Sequence, residues 1–196
     1  MSIWLWQMII QNFLNQEEYK TIKDFMFGPL LRWHYSPHVS LGTHSHGITD
    51  TMAIDTFGFN VDVFNRELKY GDNLALSCMA PIIQKIIELN GQETQILRIR
   101  GGLKTFKHAF KDGNYNLPHI DYHFPHKTLI LYMNETDGDT FVFNEVYSGE
   151  DLTEFTIKER INPVENCAVI LDGYQYHTAS NPLYHDTRMI LNVNYI

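Results

Sequence analysis

The chain has 196 residues, the length of one domain, and can bury a core without disulfide or metal staples. Hydrophobic residues at 44% and charged residues at 19% exclude a disordered chain, and 13% aromatics favour strands around a large core or pocket. A net charge of −8 excludes a protein that coats nucleic acid, while two cysteines, Cys78 and Cys167, are too few for a disulfide scaffold and suit a reducing compartment.

Met1–Ile10 is apolar but lacks a basic leader and a small-residue cleavage site. It is far shorter than the roughly 20 residues of a membrane span. It reads as a first strand, and the chain as soluble and cytoplasmic with no membrane partner. Asn15 is placed to cap a helix running to about Phe27, with Tyr19, Ile22 and Phe25 or Met26 at helical spacing. From Gly28 to Gly71 the pattern is irregular and reads as a covering segment that flanks the mouth of a pocket. Asp72 caps a second helix with an apolar stripe of Leu76, Met79, Ile83, Ile86 and Ile87; Pro81 predicts a kink or restart, and Asn90-Gly91 ends it.

Beyond Gly91 short strand-like runs follow one another: Thr94–Arg100, Pro118–His123, Thr128–Asn134, Thr140–Asn144, Thr153–Lys158, Cys167–Leu171, Tyr176–Ala179 and Thr187–Ile196. Turn signals such as Asp137-Gly138-Asp139, Asp172-Gly173 and Asn181-Pro182 separate them. Helices followed by about eight strands predict one α+β domain over 1–196. Residues 1–91 would supply helical support and cover, and 92–196 a double-sheet jelly roll or barrel.

The chemistry centres on Pro118-His119-Ile120-Asp121-Tyr122-His123, where strand geometry turns His119 and Asp121 to one face. Alone, such a pair is as readily two polar residues at a strand end. His177 lies on a late strand, and Arg188 opens the last one. There Arg188, Ile190, Asn192 and Asn194 share a face opposite the apolar Met189, Leu191, Val193 and Tyr195. The apolar face would pack on helices and the polar face line a cavity. Two histidines and one carboxylate would fill one face of a six-coordinate ion and leave three positions open, the arrangement suited to non-haem Fe(II). The remaining positive charge favours an anionic bidentate ligand, and a buried Arg can fork onto a second carboxylate. A dicarboxylic keto acid meets both demands.

These residues resemble the Fe(II)/2-oxoglutarate-dependent dioxygenases, nearest to the prolyl 4-hydroxylase branch. The family pattern of H-x-D, a distal His and a basic residue about ten positions later is matched by His119-Ile120-Asp121, His177 and Arg188. Thr128–Asn134, Asp137–Phe143 and, more weakly, Ile10–Tyr19 are similar to neighbouring family segments. The resemblance implies a double-stranded β-helix (jelly roll) with N-terminal helices packed on one sheet. It implies Fe(II) held by His119, Asp121 and His177, and 2-oxoglutarate held by Arg188, with Tyr132 donating to its distal carboxylate and Asn192 lining its pocket. Ascorbate is a further cofactor candidate. The implied reaction is hydroxylation of a substrate, such as a peptidyl proline, with release of succinate and CO2. Many prolyl hydroxylases carry a Tyr in the strand before H-x-D; this chain has Ile99 and Arg100, which bears on the substrate. An oxygenase of a nucleic acid or small molecule, and a jelly-roll metal-binding module without turnover, are the alternatives; Arg188 argues against the last.

Other signals are weaker. His123 and His126 follow the motif but lie past the point where the chain should leave the metal face. His44-Ser45-His46 is a rival pair in the irregular segment. Arg98–Lys111 carries five cations and no acid, a lip for an acidic or phosphate-bearing substrate or an ordinary solvated face. Phe106, Phe110 and Tyr115 interleave with it, Tyr174 and Tyr176 are rim candidates, and Cys167 reads as core.

Overall fold

The computed structural model describes residues 7–39, 48–150 and 152–196. Helix α1 (Gln16–Phe27) starts where Asn15 accepts hydrogen bonds from the backbone of Glu17 (3.1 Å) and Glu18 (2.9 Å), while Glu18 accepts from the Asn15 backbone (3.2 Å). Helix α2 (Asn73–Asn90) is capped by Asp72, which accepts from Ala75 at 2.8 Å, and ends at Gly91, whose φ of 102° suits glycine. Pro81 neither stops nor restarts it. Ala75, Met79, Ile82 and Ile86, on both sides of the proline, are buried in one core and hold the two halves together.

Eleven strands are described: β1 (Met8–Ile10), β2 (His34–Ser36), β3 (Gly58–Asn65), β4 (Tyr70–Gly71), β5 (Ile96–Thr105), β6 (Lys127–Tyr132), β7 (Thr140–Val146), β8 (Ile157–Ile161), β9 (Ala168–Asp172), β10 (Gln175–Ala179) and β11 (Thr187–Tyr195). They form a large sheet ordered β1-β9-β6-β11-β5-β3-β2, with β4 on β3, and a small sheet ordered β10-β7-β8. Period-two alternation sorts the side chains into two cores. Leu129, Leu131, Met189, Leu191 and Val193 pack outward against Tyr19, Ile22 and Met26 of α1 and the α2 stripe. Ile130, Tyr132, Val169 and Leu171 pack inward against Val142 and Ile161 of the small sheet. Fully burying such side chains contributes about 1.5–3 kcal/mol each. The architecture is therefore helices on one face of a two-sheet jelly roll. No described helix is long and apolar enough to cross a membrane.

Several elements differ from the sequence reading. The irregular 28–71 stretch contributes β2, β3 and β4; in β3, Asn60 and Asp62 interrupt the apolar pattern because their face looks into the cavity side of the sheet. Strand β5 does not stop at Arg100 but runs through Gly101-Gly102 to Thr105. The glycines serve packing: a Cβ on Gly101 would lie 2.9 Å from both Met26 Cε and Val61 Cγ1. Strand β8 begins at Ile157, later than expected. Pro118–His123 is no strand; Pro118 has no N–H to give a ladder, and one bridge remains, with His119 and His177 exchanging backbone hydrogen bonds of 3.1 Å. Residues 1–6 of the expected first strand lie outside the described residues.

Candidate active site

The His119–His177 bridge sets the two imidazoles side by side, with ring centroids 4.9 Å apart. Each ring directs Nδ1 at the carbonyl two residues before it, His119 at Leu117 (3.1 Å) and His177 at Gln175 (3.0 Å). With Nδ1–H donated there, Nε2 is left as the lone pair facing its neighbours. Asp121 completes the group: one ligand atom from each of His119, Asp121 and His177 lies within 4.8 Å of the others.

Three strands hold Asp121. Thr128 of β6, Asn194 of β11 and Arg98 of β5 are cross-strand partners in a single row. Arg98 Nη2 donates to Asp121 Oδ1 at 2.7 Å. Oδ2 accepts from Asn194 (2.8 Å), Thr128 (3.0 Å) and Asn192 (3.3 Å). Burial is the largest influence on this carboxyl and opposes its charge. Arg98, then the two histidines and Asn194, outweigh it and hold the pKa well below the usual carboxylate range. Burial, then the neighbouring His177, pushes His119 down to about 4. A neutral imidazole beside an ionised carboxylate is the protonation state a divalent cation requires.

A cavity of about 320 Å³ opens beside this cluster, and Arg188 and Asn192 line it with the three residues. Arg188 is 2% exposed; its Nε donates to the Gly138 carbonyl (2.6 Å) and its Nη2 to Thr140 Oγ1 (2.8 Å). Burial lowers its pKa, with Tyr132 and Asp139 acting the other way. Ile130 and Ile190 form apolar wall between Arg188 and Asp121. Tyr132 is placed differently from the expectation. It lies fully buried under the Arg188 guanidinium, 5.8 Å from its ring centroid, does not line the cavity, and donates its hydroxyl to Thr140 Oγ1 at 2.8 Å.

The other signals separate cleanly. His123 is exposed beside Tyr147, and His126 is buried with Nδ1 on the Phe124 carbonyl; neither joins the cluster. His44 and His46 lie outside the described residues. The basic run is not a free lip. Arg98 serves Asp121, Arg100 forks onto Asp62 (2.6 and 3.1 Å), and Lys107 sits over the Phe57 ring at 4.9 Å. Lys104 alone of the five lines the cavity without such a partner among the described residues. Phe110 and Tyr115 are buried anchors, Phe106 is exposed, and Cys167 is core. Tyr176 is no rim residue; it is fully buried with Tyr115, Ile120, Phe141 and Phe143. Sequence reasoning placed Asn194 on the cavity face without a partner and missed Arg98, Thr128 and Thr140 as parts of the site. The alternation of Arg98, Arg100, Gly102 and Lys104 was the available signal for Arg98.

The fold is a two-sheet jelly roll, and a two-histidine, one-carboxylate cluster lines its cavity. No family model matches the chain, and no curated protein matches it in sequence. Solved structures do match. An oxidoreductase of the 2OG-Fe(II) oxygenase family from Burkholderia pseudomallei has a TM-score of 0.64 at 10% identity, over 96% of this chain and 84% of that one. HygX from Streptomyces hygroscopicus, solved with nickel and 2-oxoglutarate bound, has a TM-score of 0.56 at 10% identity over 97% and 82%. A Pseudomonas putida prolyl-4-hydroxylase has a TM-score of 0.52 at 12% identity over 98% and 92%. At these identities the likeness establishes the fold.

Proposed function

We propose that this chain is an Fe(II)- and 2-oxoglutarate-dependent dioxygenase. The observation that carries the reading is the placement of His119, Asp121 and His177 in one cavity with the buried guanidinium of Arg188. The donor set fits the metal: both imidazoles have Nδ1 engaged by carbonyls, and Asp121 is held ionised. When bound, Fe(II) and 2-oxoglutarate supply oxidative decarboxylation with O2, placing one oxygen atom in succinate and the other in a hydroxylated substrate, with release of CO2. The protein contributes position. His119, Asp121 and His177 would hold the metal; Asn194 and Thr128 fix the orientation of the carboxylate, and Arg98 answers its charge. Arg188 receives the distal carboxylate of 2-oxoglutarate. Its Nε and Nη2 are already held by Gly138 and Thr140, so the guanidinium is preorganised, and Tyr132 supports it from below. Asn192 lines the cosubstrate pocket, and Ile130 and Ile190 keep water from it.

Hydroxylation of a peptidyl proline is the finer reading, supported by the likeness to a prolyl-4-hydroxylase. The test is succinate release from 2-oxoglutarate by Fe(II)-loaded protein, with ascorbate present or omitted, against proline peptides and small-molecule candidates. The reading requires metal-dependent succinate formation that His119→Ala and Arg188→Met abolish. Failure of the metal-loaded protein to bind 2-oxoglutarate overturns it.

A further inference from the structure

We propose that Lys104 is the substrate-specificity residue of this site and that the substrate is a compact molecule whose oxyanion, a carboxylate or phosphate, docks on its ammonium. The inference rests on the oxygenase reading above and goes beyond it to the class of substrate.

The argument begins with register. Lys104 and Arg188 are direct cross-strand partners on β5 and β11, so both side chains leave the same face of the large sheet and both line the cavity. Two like charges opposite one another are unfavourable unless anions answer both. Arg188 leans away from β5, towards Gly138 and Thr140. Lys104 lies one strand further towards β3, where Phe59 and Asn60, with His38 and Val39 beyond them, form the other wall. The two cations therefore serve different ends of one space.

Charge matching then isolates Lys104. Arg98 is answered by Asp121 and Arg100 by Asp62, and Arg188 is answered by the distal carboxylate once 2-oxoglutarate is bound. Among the described residues, nothing forms a hydrogen bond or ion pair with Lys104. The acid that acts on it, Asp55, has Oδ2 hydrogen-bonded to His38 while its Oδ1 is buried without a hydrogen-bond partner among the described residues, and it forms no ion pair with Lys104. Burial, then Arg188, pushes the lysine's pKa well below its ordinary value, so this ammonium is uncomfortable without an anion beside it. Size and polarity narrow the occupant further. The cavity's volume of about 320 Å³ is near the small end for ligand pockets and must also admit the cosubstrate. Phe59 and Val39 offer an apolar wall for the body of the molecule.

The test uses Zn(II)-loaded protein saturated with 2-oxoglutarate, which does not turn over, and ligand-observed NMR with two matched pairs: benzoate against benzamide, and phenyl phosphate against phenol. Wild type should bind at least one anion about tenfold more tightly than its neutral partner, and the tighter anion identifies the oxyanion. Lys104→Gln should shrink that preference to within about twofold, Lys104→Arg should keep most of it, and the affinity for 2-oxoglutarate should change less than threefold in both. Lys104→Met replaces the Gln variant if that fails to fold. Equal binding of anions and neutral partners by wild type overturns the proposal, as does a preference that survives in Lys104→Gln. A tenfold loss of 2-oxoglutarate affinity in Lys104→Gln also overturns it, by assigning the lysine to the cosubstrate. Absence of 2-oxoglutarate binding in wild type overturns the oxygenase reading itself; intact binding with no anion preference overturns this inference alone.

Discussion

Replacing Arg98 by Met removes the cation that answers Asp121 while keeping the length and apolar stem of the side chain. The pair is shielded, with side chains 13% and 7% exposed and a separation of 2.7 Å. Breaking a buried pair costs about 3–5 kcal/mol because one charge is left without its partner. Here Asn194, Thr128 and Asn192 still donate to Oδ2, so the loss belongs at the lower end, about 3 kcal/mol. For a domain of this size that is a fall in Tm of about 6–12 °C. A divalent ion on Asp121 supplies the missing positive charge, so added Mn(II) should recover at least half of the fall, and the variant should bind Mn(II) no more weakly than wild type. Thermal unfolding with and without Mn(II), together with a metal titration, reads both quantities. A metal-free Tm within 2 °C of wild type would show that Arg98 does not neutralise Asp121. A tenfold loss of metal affinity would show that its role is to aim the carboxylate instead.

Arg188→Met should weaken 2-oxoglutarate binding by about 30-fold or more, since an unpaired buried charge costs about 2–5 kcal/mol, and calorimetry should find metal binding unchanged. Arg188→Lys should recover part of the loss, because an ammonium lacks the two-pronged geometry. Gly138→Ala would place a Cβ 2.8 Å from Arg188 Cδ and 3.1 Å from the Ser180 carbonyl; it should destabilise the fold by about 1–3 kcal/mol and lower 2-oxoglutarate affinity without touching the metal. The pH dependence of the metal-free protein follows from His119. Its folded pKa of about 4 lies below the ordinary value near 6.5, so the unfolded chain takes up the proton first. Stability is therefore fully present above about pH 6.5 and declines towards pH 4, by up to about 3 kcal/mol, and urea titrations in His119→Gln should show a shallower decline.

Where the site follows from local pattern, the sequence revealed it. The polar face of β11 was legible because Arg188, Ile190, Asn192 and Asn194 alternate strictly with Met189, Leu191, Val193 and Tyr195, and that alternation is what the two cores enforce. Both helix starts were legible through Asn15 and Asp72, whose capping is a matter of three or four residues. What depended on register was not. Arg98 and Asp121 are 23 positions apart, and only the pairing of β5 with β11 sets them together. The strand reading ended at Arg100, before Gly101-Gly102, because the reason for small residues there, the approach of Met26 and Val61, comes from other elements. The direct role of Tyr132 was implied by the resemblance, and no local pattern could show that its hydroxyl is donated to Thr140. Strand β3 was hidden because its inward residues, Asn60 and Asp62, are polar on account of the cavity rather than of solvent.

The inward face of the large sheet can be taken row by row. Thr128, Asn194 and Arg98 form the row at Asp121; Ile130, Asn192 and Arg100 form the next, extended by Asp62; Tyr132, Ile190, Gly102 and Asn60 form the third; Arg188 and Lys104 close the series. The proposed metal ligands thus stand at one end of the series and the Arg188–Lys104 row at the other, with Ile130 and Ile190 in the rows between. That spacing of positive, apolar and positive suits a dicarboxylate lying along β11, and neither a single cation nor a fully polar face would select one. The chain's net charge of −8 makes the arrangement more telling. Its acids lie mainly on the exterior, where water screens them, whereas the cations of β5 and β11 have been carried into a site where desolvation makes each one costly. Asp121 and Asp62 answer Arg98 and Arg100, and the row of Arg188 and Lys104 is where bound anions would answer the remaining two.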